Sequence, residues 1–514
     1  MEYQIERTTP EKVGIPSVAI LRFIDRLEDE AFTDIHSIMI SRYGKVCAEG
    51  WWQPYAPGIP HAIWSLSKTY TATAVGVAVK EGILGLDERL GDIFPELSPK
   101  EPDRRFAGLT VRNLLKMSSG IADEVFGNTE DWLEVFLHSE FAYEPGEAFS
   151  YVSQGTNALG VAVSRRSHMT MEQYLQEKVF AKIGICSENT RWMRLPDGSE
   201  LAAGGLHATT EDNLRLMLMY MQGGAWNGEQ ILDEEYIRLA TTKQVENKIR
   251  YDHMPGAAKK TKDNTAGYGY QLWMLSHPGA YAGQGAQGQY GVVFPNEQIV
   301  ISTTQILNPT YPDGGHLYDL MFDLVKEVSD HPFCEDPEGE RKLRNRLKRL
   351  SIPSPDFSPY SDFERETEGV RYETKEGKFT VYPVFEGREH MGTGRMVTAG
   401  IDSFYFRFTP DRRRCHMSFT EDGLDRELEI ALDGTRCFNI LKNPNQVPRE
   451  VLLSGFWESE KVLVLKARWV ETTIEKTIWF RFDEDRVTVE AKLTVGTMGA
   501  FSRDGENAVA VRMR

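Results

Sequence analysis

Trp64-Ser65-Leu66-Ser67-Lys68-Thr69 joins an irregular segment to a long helical run that reads from Ser65 to Glu81. A serine three residues before a lysine at a helix start puts both side chains on one face of the first turn. Ser65 then sits at the positive end of the helix dipole, where an alkoxide or oxyanion is stabilised. Lys68 is close enough to take the Ser65 proton, provided burial keeps the amine neutral. The pair therefore reads as an acyl-enzyme nucleophile with its base one turn away. The plainer reading is an N-cap serine and a solvated lysine, since the S-x-x-K pattern arises by chance about once or twice in a chain of this length. The order of the surrounding segments decides between them.

Upstream, residues 11 to 30 carry Ile20, Leu21, Ile24 and Leu27 at helical spacing. Ser37-Ile38-Met39-Ile40 and Val46 to Trp51 flank the turn Arg42-Tyr43-Gly44-Lys45, a hairpin signal. A mostly helical region follows Ser65 to about residue 240. Strands return at Gly267 to Trp273, Tyr290 to Phe294 and Ile299 to Thr304, before a helix around Leu317 to Val328. Strands at both ends with helices between them predict an α+β unit: one antiparallel sheet flanked by helices, with a helical subdomain.

The pattern changes after Asp336-Pro337-Glu338-Gly339-Glu340. A basic amphipathic stretch, Arg341 to Leu350, leads into the Pro/Ser-rich residues 351–360. Beyond them, Phe404 to Phe408, Glu427 to Leu432, Val462 to Trp469 and Thr477 to Phe482 alternate apolar and polar residues. They predict a small all-β sandwich or barrel. The expected division is residues 1–335, a linker with a short basic helix at 336–360, and an all-β domain at 361–514.

The chain has 514 residues, is 41% hydrophobic and 26% charged, and carries a formal net charge of −17. That charge argues against nucleic acid or an anionic membrane surface as a partner. No apolar run is long enough to span a bilayer, and the N-terminus shows no signal-peptide pattern. The five cysteines form no C-x-x-C pair, and reduced thiols in a cytoplasmic protein are the expectation. The histidines show no metal-ligand spacing, so no metal and no cofactor is expected.

Read as a set, residues 1 to 330 resemble the serine β-lactamase and penicillin-binding-protein-like superfamily, in particular class C β-lactamases and related esterases and peptidases. Trp64 to Thr69 resembles its first motif, and Glu81-Gly82-Ile83-Leu84-Gly85-Leu86-Asp87 its "EGKLxLDxP" turn. Val111 to Gly120 is similar to the segment containing "LLTHTSG", and Ala202 to Thr209 to "AGGLxST". Glu144-Pro145-Gly146-Glu147-Ala148-Phe149-Ser150-Tyr151 matches the lead-in to the second motif. The resemblance makes Tyr151 a proton shuttle between nucleophile and leaving group, beside Lys68.

Two departures bear on substrate. The family's Tyr-x-Asn is here Tyr151-Val152-Ser153, so Ser153 becomes a substrate-side contact with fewer hydrogen bonds to offer. The family's Lys-Thr-Gly or His-x-Gly falls on Tyr281-Ala282-Gly283, which has no cation. Tyr281, Gly283 and Gln284 are the expected substrate-side residues of that strand. The second oxyanion N–H is expected from about Gly283, with the Ser65 N–H as the first. Without a cation for a substrate carboxylate, an ester, amide or short-peptide substrate is favoured over a true β-lactamase or D-peptidase role. A non-catalytic binding or scaffold protein keeping the fold is the remaining alternative, and a homo-oligomer is left open. His207 reads as structural. Lys259, Lys260 and Lys262 read as a solvated loop, with a lid as the other reading.

Overall fold

In the first of two units, the two ends of the domain meet in one antiparallel sheet. Strand β1 (Thr33–Arg42) forms a hairpin with β2 (Lys45–Trp51), as the Tyr43-Gly44 turn demands: both residues have positive φ, +52° and +75°. Its other edge pairs with β9 (Ile299–Leu307), in register Ile40↔Ile301. The computed structural model describes residues 4–29, 33–100, 102–121, 129–247, 262–263, 265–307, 315–358, 360–382, 398–441, 450–495 and 505–513. Lys259 and Lys260 lie outside them.

Between β1 and β9 along the chain lie a short strand β3 (His61–Ala62), helix α2 (Ser67–Lys80), helix α3 (Val111–Leu115) and helix α4 (Ser153–Ser167). Next come β4 (Arg191–Trp192), β5 (Leu206–Ala208) and helix α5 (Thr210–Met221). Strands β6 (Trp273–Met274), β7 (Tyr281–Gly285) and β8 (Gln289–Phe294) complete the six-stranded sheet, in the order β2-β1-β9-β8-β7-β6. β3, β5 and β4 form a separate small sheet. Helix α1 (Ser17–Asp29) and α6 (Gly315–Val325) pack together.

Helix α2 is buried on every side from Ser67 to Ala78, so it shows no polar stripe. Its hydroxyls bond within the protein: Thr71 to the Ser67 and Ala202 carbonyls, and Thr73 to the Thr69 carbonyl and the Tyr220 hydroxyl.

The expected strand from Gly267 to Trp273 shrinks to Trp273–Met274. Gln271 turns the chain off the sheet at φ +55° and ties three helices together. Its Nε2 donates to the Leu114 and Leu115 carbonyls at 2.9 Å each, and its Oε1 accepts from Thr156 on α4 at 3.1 Å. Its own carbonyl accepts from Thr69 on α2 at 3.1 Å. A buried side chain with this many partners outweighs the β-propensity of its neighbours.

The basic stretch forms helix α7 (Pro337–Leu347), which packs on the acidic face of α1 through Arg346, paired with Asp25 and Glu28. The chain divides into units at Ser351/Ile352, so α7 belongs to the first unit rather than to a linker. No helix among the described residues is long and apolar enough to cross a membrane.

The second unit is a barrel rather than a sandwich. Its strands are β10 (Tyr372–Gly377), β11 (Ile401–Phe408), β12 (Arg414–Glu421), β13 (Leu424–Ala431), β14 (Cys437–Ile440), β15 (Glu450–Ser459), β16 (Val462–Trp469), β17 (Ile474–Asp483), β18 (Arg486–Val495) and β19 (Glu506–Arg512). They follow the order β13-β12-β11-β10-β19-β18-β17-β16-β15-β14. A parallel pairing, Ala431↔Ser454, joins β13 to β15 and closes a nine-stranded ring, with β14 outside it. Phe404, Phe406 and Phe480 fill the interior, with ring centroids 5.1–5.8 Å apart. A barrel of this size packed with side chains has a core rather than a channel.

Gln271→Leu should destabilise the first unit by about 2–4 kcal/mol, because three buried hydrogen bonds lose their partner. Urea unfolding tests this, and an unchanged midpoint would contradict it. A second prediction concerns His207 on β5, which is fully buried. Burial, reinforced by the Arg191 guanidinium, pushes its imidazole down to about 3, against an opposing backbone contact at Gly205. The folded protein keeps His207 neutral where the unfolded chain, near pH 6.5, takes up a proton. The resulting stabilisation is complete above about pH 6.5 and is lost as pH falls toward 3. His207→Leu should therefore gain on the parent by about 1.4 kcal/mol per pH unit below about pH 6. Parallel stability curves for the two proteins would show that the histidine does not carry this dependence.

Candidate active site

Ser65 lies in a tight 3₁₀ turn, Trp64–Leu66, and α2 proper begins at Ser67. The expected continuous helix from Ser65 is thus a turn followed by a helix. Trp64 has φ +48°, a strained conformation for a bulky residue, directly before the serine. The Ser65 N–H makes no hydrogen bond among the described residues, as befits a donor at the entry of a helical segment.

Lys68 is 2% exposed, and its Nζ donates to Ser65 Oγ at 3.0 Å. A second hydrogen bond runs to the Ala203 carbonyl at 2.7 Å. The amine also lies 4.8 Å from the centroid of the Tyr151 ring. The structure therefore brings Ser65, Lys68 and Tyr151 together.

Tyr151 is positioned from two directions. Its approach segment is laced to the loop after α3: Gly146 N–H donates to the Ser118 carbonyl at 2.7 Å, and Ser150 N–H to the Met117 carbonyl at 2.8 Å. Its ring sits in an aromatic cluster with Phe149, Tyr268 and Trp273. Trp273 lies 5.7 Å away and tilted by 30°; Tyr268 lies 6.4 Å away, edge-on. Such packing fixes the plane of the ring. Ser153, two residues on, is the first residue of α4.

Strand β7 lies directly against the serine turn. A Cβ at Gly283 would stand 2.2 Å from Leu66 Cδ1, and one at Gly285 2.0 Å from the Ile63 carbonyl oxygen. Only glycine permits this approach. Tyr281 does not join the site: it is 3% exposed in the main hydrophobic core, and burial raises its phenol well above the ordinary value. Its side chain points into the core, so it cannot act as the expected substrate contact. The Gln284 side chain faces the other side of the strand, where its Oε1 accepts from Tyr318 on α6 at 3.4 Å.

The Gln284 backbone is placed differently. Leu275 N–H donates to the Ala280 carbonyl, so residues 280, 282 and 284 direct their backbone groups toward β6. β6 begins at Trp273, opposite Ala282, and among the described residues no strand pairs with that edge beyond it. Gln284 N–H thus emerges on that edge, beside the Ile63–Leu66 turn. The N–H of Gly283 points the other way, toward β8. Strand alternation thus turns the N–H of Gln284, and not that of Gly283, toward the edge beside the serine turn.

Sequence reasoning matched Ala202 to Thr209 to a family segment but gave it no role at Lys68, and it missed Asn157. Ala203 N–H donates to Asn157 Oδ1 at 2.8 Å, Thr71 to the Ala202 carbonyl at 2.8 Å, and Leu206 N–H to Ser67 Oγ at 3.1 Å. Backbone carbonyls leave no residue-type signal, so only the structure shows that this loop holds Lys68.

Residues 4–326 match the family model described as Beta-lactamase. A β-lactamase of Escherichia coli is 26% identical over 153 residues, covering 29% of this chain and 38% of that protein. The 6-aminohexanoate-dimer hydrolase of Paenarthrobacter ureafaciens is 23% identical over 354 residues, covering 63% of this chain and 86% of the relative. A 6-aminohexanoate-dimer hydrolase structure from Bacillus anthracis, described as putative, superposes with a TM-score of 0.49 at 18% identity, covering 63% of this chain and 87% of the other. With residues 4–326, more than half of its length, matched by that model, the chain belongs to the Beta-lactamase family.

Proposed function

We propose that the chain is a serine hydrolase that cleaves an ester or amide through an acyl-enzyme on Ser65. The observation that carries this is the buried Lys68 amine, 3.0 Å from Ser65 Oγ and facing the Tyr151 ring. In this reading Ser65 Oγ attacks the substrate carbonyl while Lys68 and Tyr151 accept its proton. The oxyanion rests on the N–H groups of Ser65 and Gln284. The proton then passes to the leaving group, and water attacks the acyl-enzyme by the reverse route.

Tyr281 occupies the place where the family carries a cation, and it is sunk in the core. A substrate carboxylate would lack its partner there, which supports a small ester, amide or short peptide over a β-lactam or D-peptide. A relative named for hydrolysing the 6-aminohexanoate dimer fits a small-molecule substrate. The five free cysteines fit a cytoplasmic setting.

A fluorophosphonate probe should add once per chain, as read by intact mass, and the adduct should vanish in Ser65→Ala. Lys68→Ala should slow labelling by about 10²–10⁴-fold, the range for loss of a general base. A p-nitrophenyl ester should turn over faster than a chromogenic cephalosporin. Labelling that survives Ser65→Ala would overturn the assignment of the nucleophile. No labelling at all would favour the binding or scaffold role.

A further inference from the structure

Lys68 must hold its Nζ near Ser65 at the end of a four-carbon chain. Contact with the serine alone leaves several rotamers open, and burial without a second acceptor would be costly. The Ala203 carbonyl, at 2.7 Å, is the anchor that selects one rotamer.

That carbonyl is itself held through its own residue. Ala203 N–H is buried, and its hydrogen bond runs to Asn157 Oδ1 at 2.8 Å. Ala202 is tied to Thr71 on α2, but Gly204 and Gly205 follow at once. The nearest atom to a Cβ at Gly204 would be the Trp64 carbonyl carbon, at 3.9 Å. On the glycine side the Gly204 and Gly205 N–H groups donate to the Leu201 carbonyl at 3.1 and 2.7 Å, so Asn157 is the tie at the other end of Ala203, on its N–H. Asn157 lies one helical turn beyond Ser153 on the same face of α4, and is 5% exposed.

We propose that Asn157 is a positioning residue that sets Lys68 for proton transfer by fixing the backbone of Ala203. Its required property is an acceptor oxygen at this point, rather than volume or charge. The inference rests on the proposed hydrolase reading, because it assigns Lys68 a position that matters only if the amine moves a proton. Without the Asn157 oxygen, the Ala203 N–H is left buried and unpaired. The Ala203 backbone then shifts about its remaining ties at Ala202, Gly204 and Gly205 to find a partner, and the carbonyl moves relative to Lys68. A displacement of about 1 Å at a reacting group costs on the order of 100-fold in rate.

The test compares Asn157→Leu, similar in volume without an acceptor, with Asn157→Asp, which keeps the oxygen. Fluorophosphonate labelling rates of the folded protein are measured across pH, alongside melting temperatures and crystal structures of both variants. Asn157→Leu should label about 10–100-fold more slowly, with Nζ displaced from Ser65 Oγ. Asn157→Asp should restore labelling to within about threefold of the parent at alkaline pH. Its acid limb should move to higher pH, because the added carboxylate favours the protonated amine. Lower melting temperatures with unchanged labelling rates and pH limbs in both variants would overturn the proposal and leave Asn157 a purely structural residue. If the parent itself does not label, the hydrolase reading fails, and the crystal structure still decides the positioning claim: an unmoved Lys68 in Asn157→Leu refutes it. Should Asn157→Leu not fold, Asn157→Ser, whose hydroxyl is too short to reach Ala203, carries the same comparison.

Discussion

The first unit is organised around one buried amine. Lys68 is an expensive group to enclose, and a charged or neutral nitrogen at 2% exposure needs partners on every side that faces it. Ser65 supplies one, the Ala203 carbonyl another, and the Tyr151 ring covers a third direction. Each partner comes from a different part of the chain, so the lysine is satisfied only when the turn before α2, the loop before β5 and the segment before α4 are all in place. Helix α2, buried from Ser67 to Ala78, and the Gln271 knot belong to the same requirement: Thr71 ties α2 to the loop before β5, and Gln271 ties α2 to α3 and α4.

Backbone geometry does much of the remaining work. Gly283 and Gly285 let β7 lie against the serine turn, and among the described residues no strand pairs with its edge beside Gln284, since β6 starts at Trp273. The aromatic cluster of Phe149, Tyr151, Tyr268 and Trp273 fixes the ring beside the amine. With Tyr281 turned into the core, that strand offers a substrate backbone hydrogen bonds and little charge. In the proposed hydrolase, this strand would select a carbonyl compound by shape and amide or ester geometry rather than by an ionic handle.

Much of this was legible from residues alone, because the relevant signals are local. Ser65 and Lys68 lie one turn apart, Tyr43-Gly44 marks a hairpin, and alternation in Val462 to Trp469 or Thr477 to Phe482 marks barrel strands. What stayed hidden depends on parity or on backbone atoms. A strand reverses its faces and its hydrogen-bonding edges at every residue, so motif counting reaches β7 but does not tell Gly283 from Gln284 as a donor. Asn157 reads as an ordinary polar helix residue, since its partner is a main-chain N–H. Gln271 sits in a run of β-formers and gives no warning that its side chain ends the strand. The choice of barrel over sandwich rests on the Ala431↔Ser454 pairing, which no strand pattern announces.

The most direct measurement is a crystal structure of the protein after reaction with a fluorophosphonate. The account predicts phosphorus on Ser65 Oγ, with one phosphonyl oxygen held at about 2.7–3.1 Å by both the Ser65 and Gln284 N–H groups. Lys68 should remain on the Ala203 carbonyl. A phosphonyl oxygen directed away from Gln284, or an adduct on another residue, would contradict the claim that this turn and this strand edge form one catalytic centre.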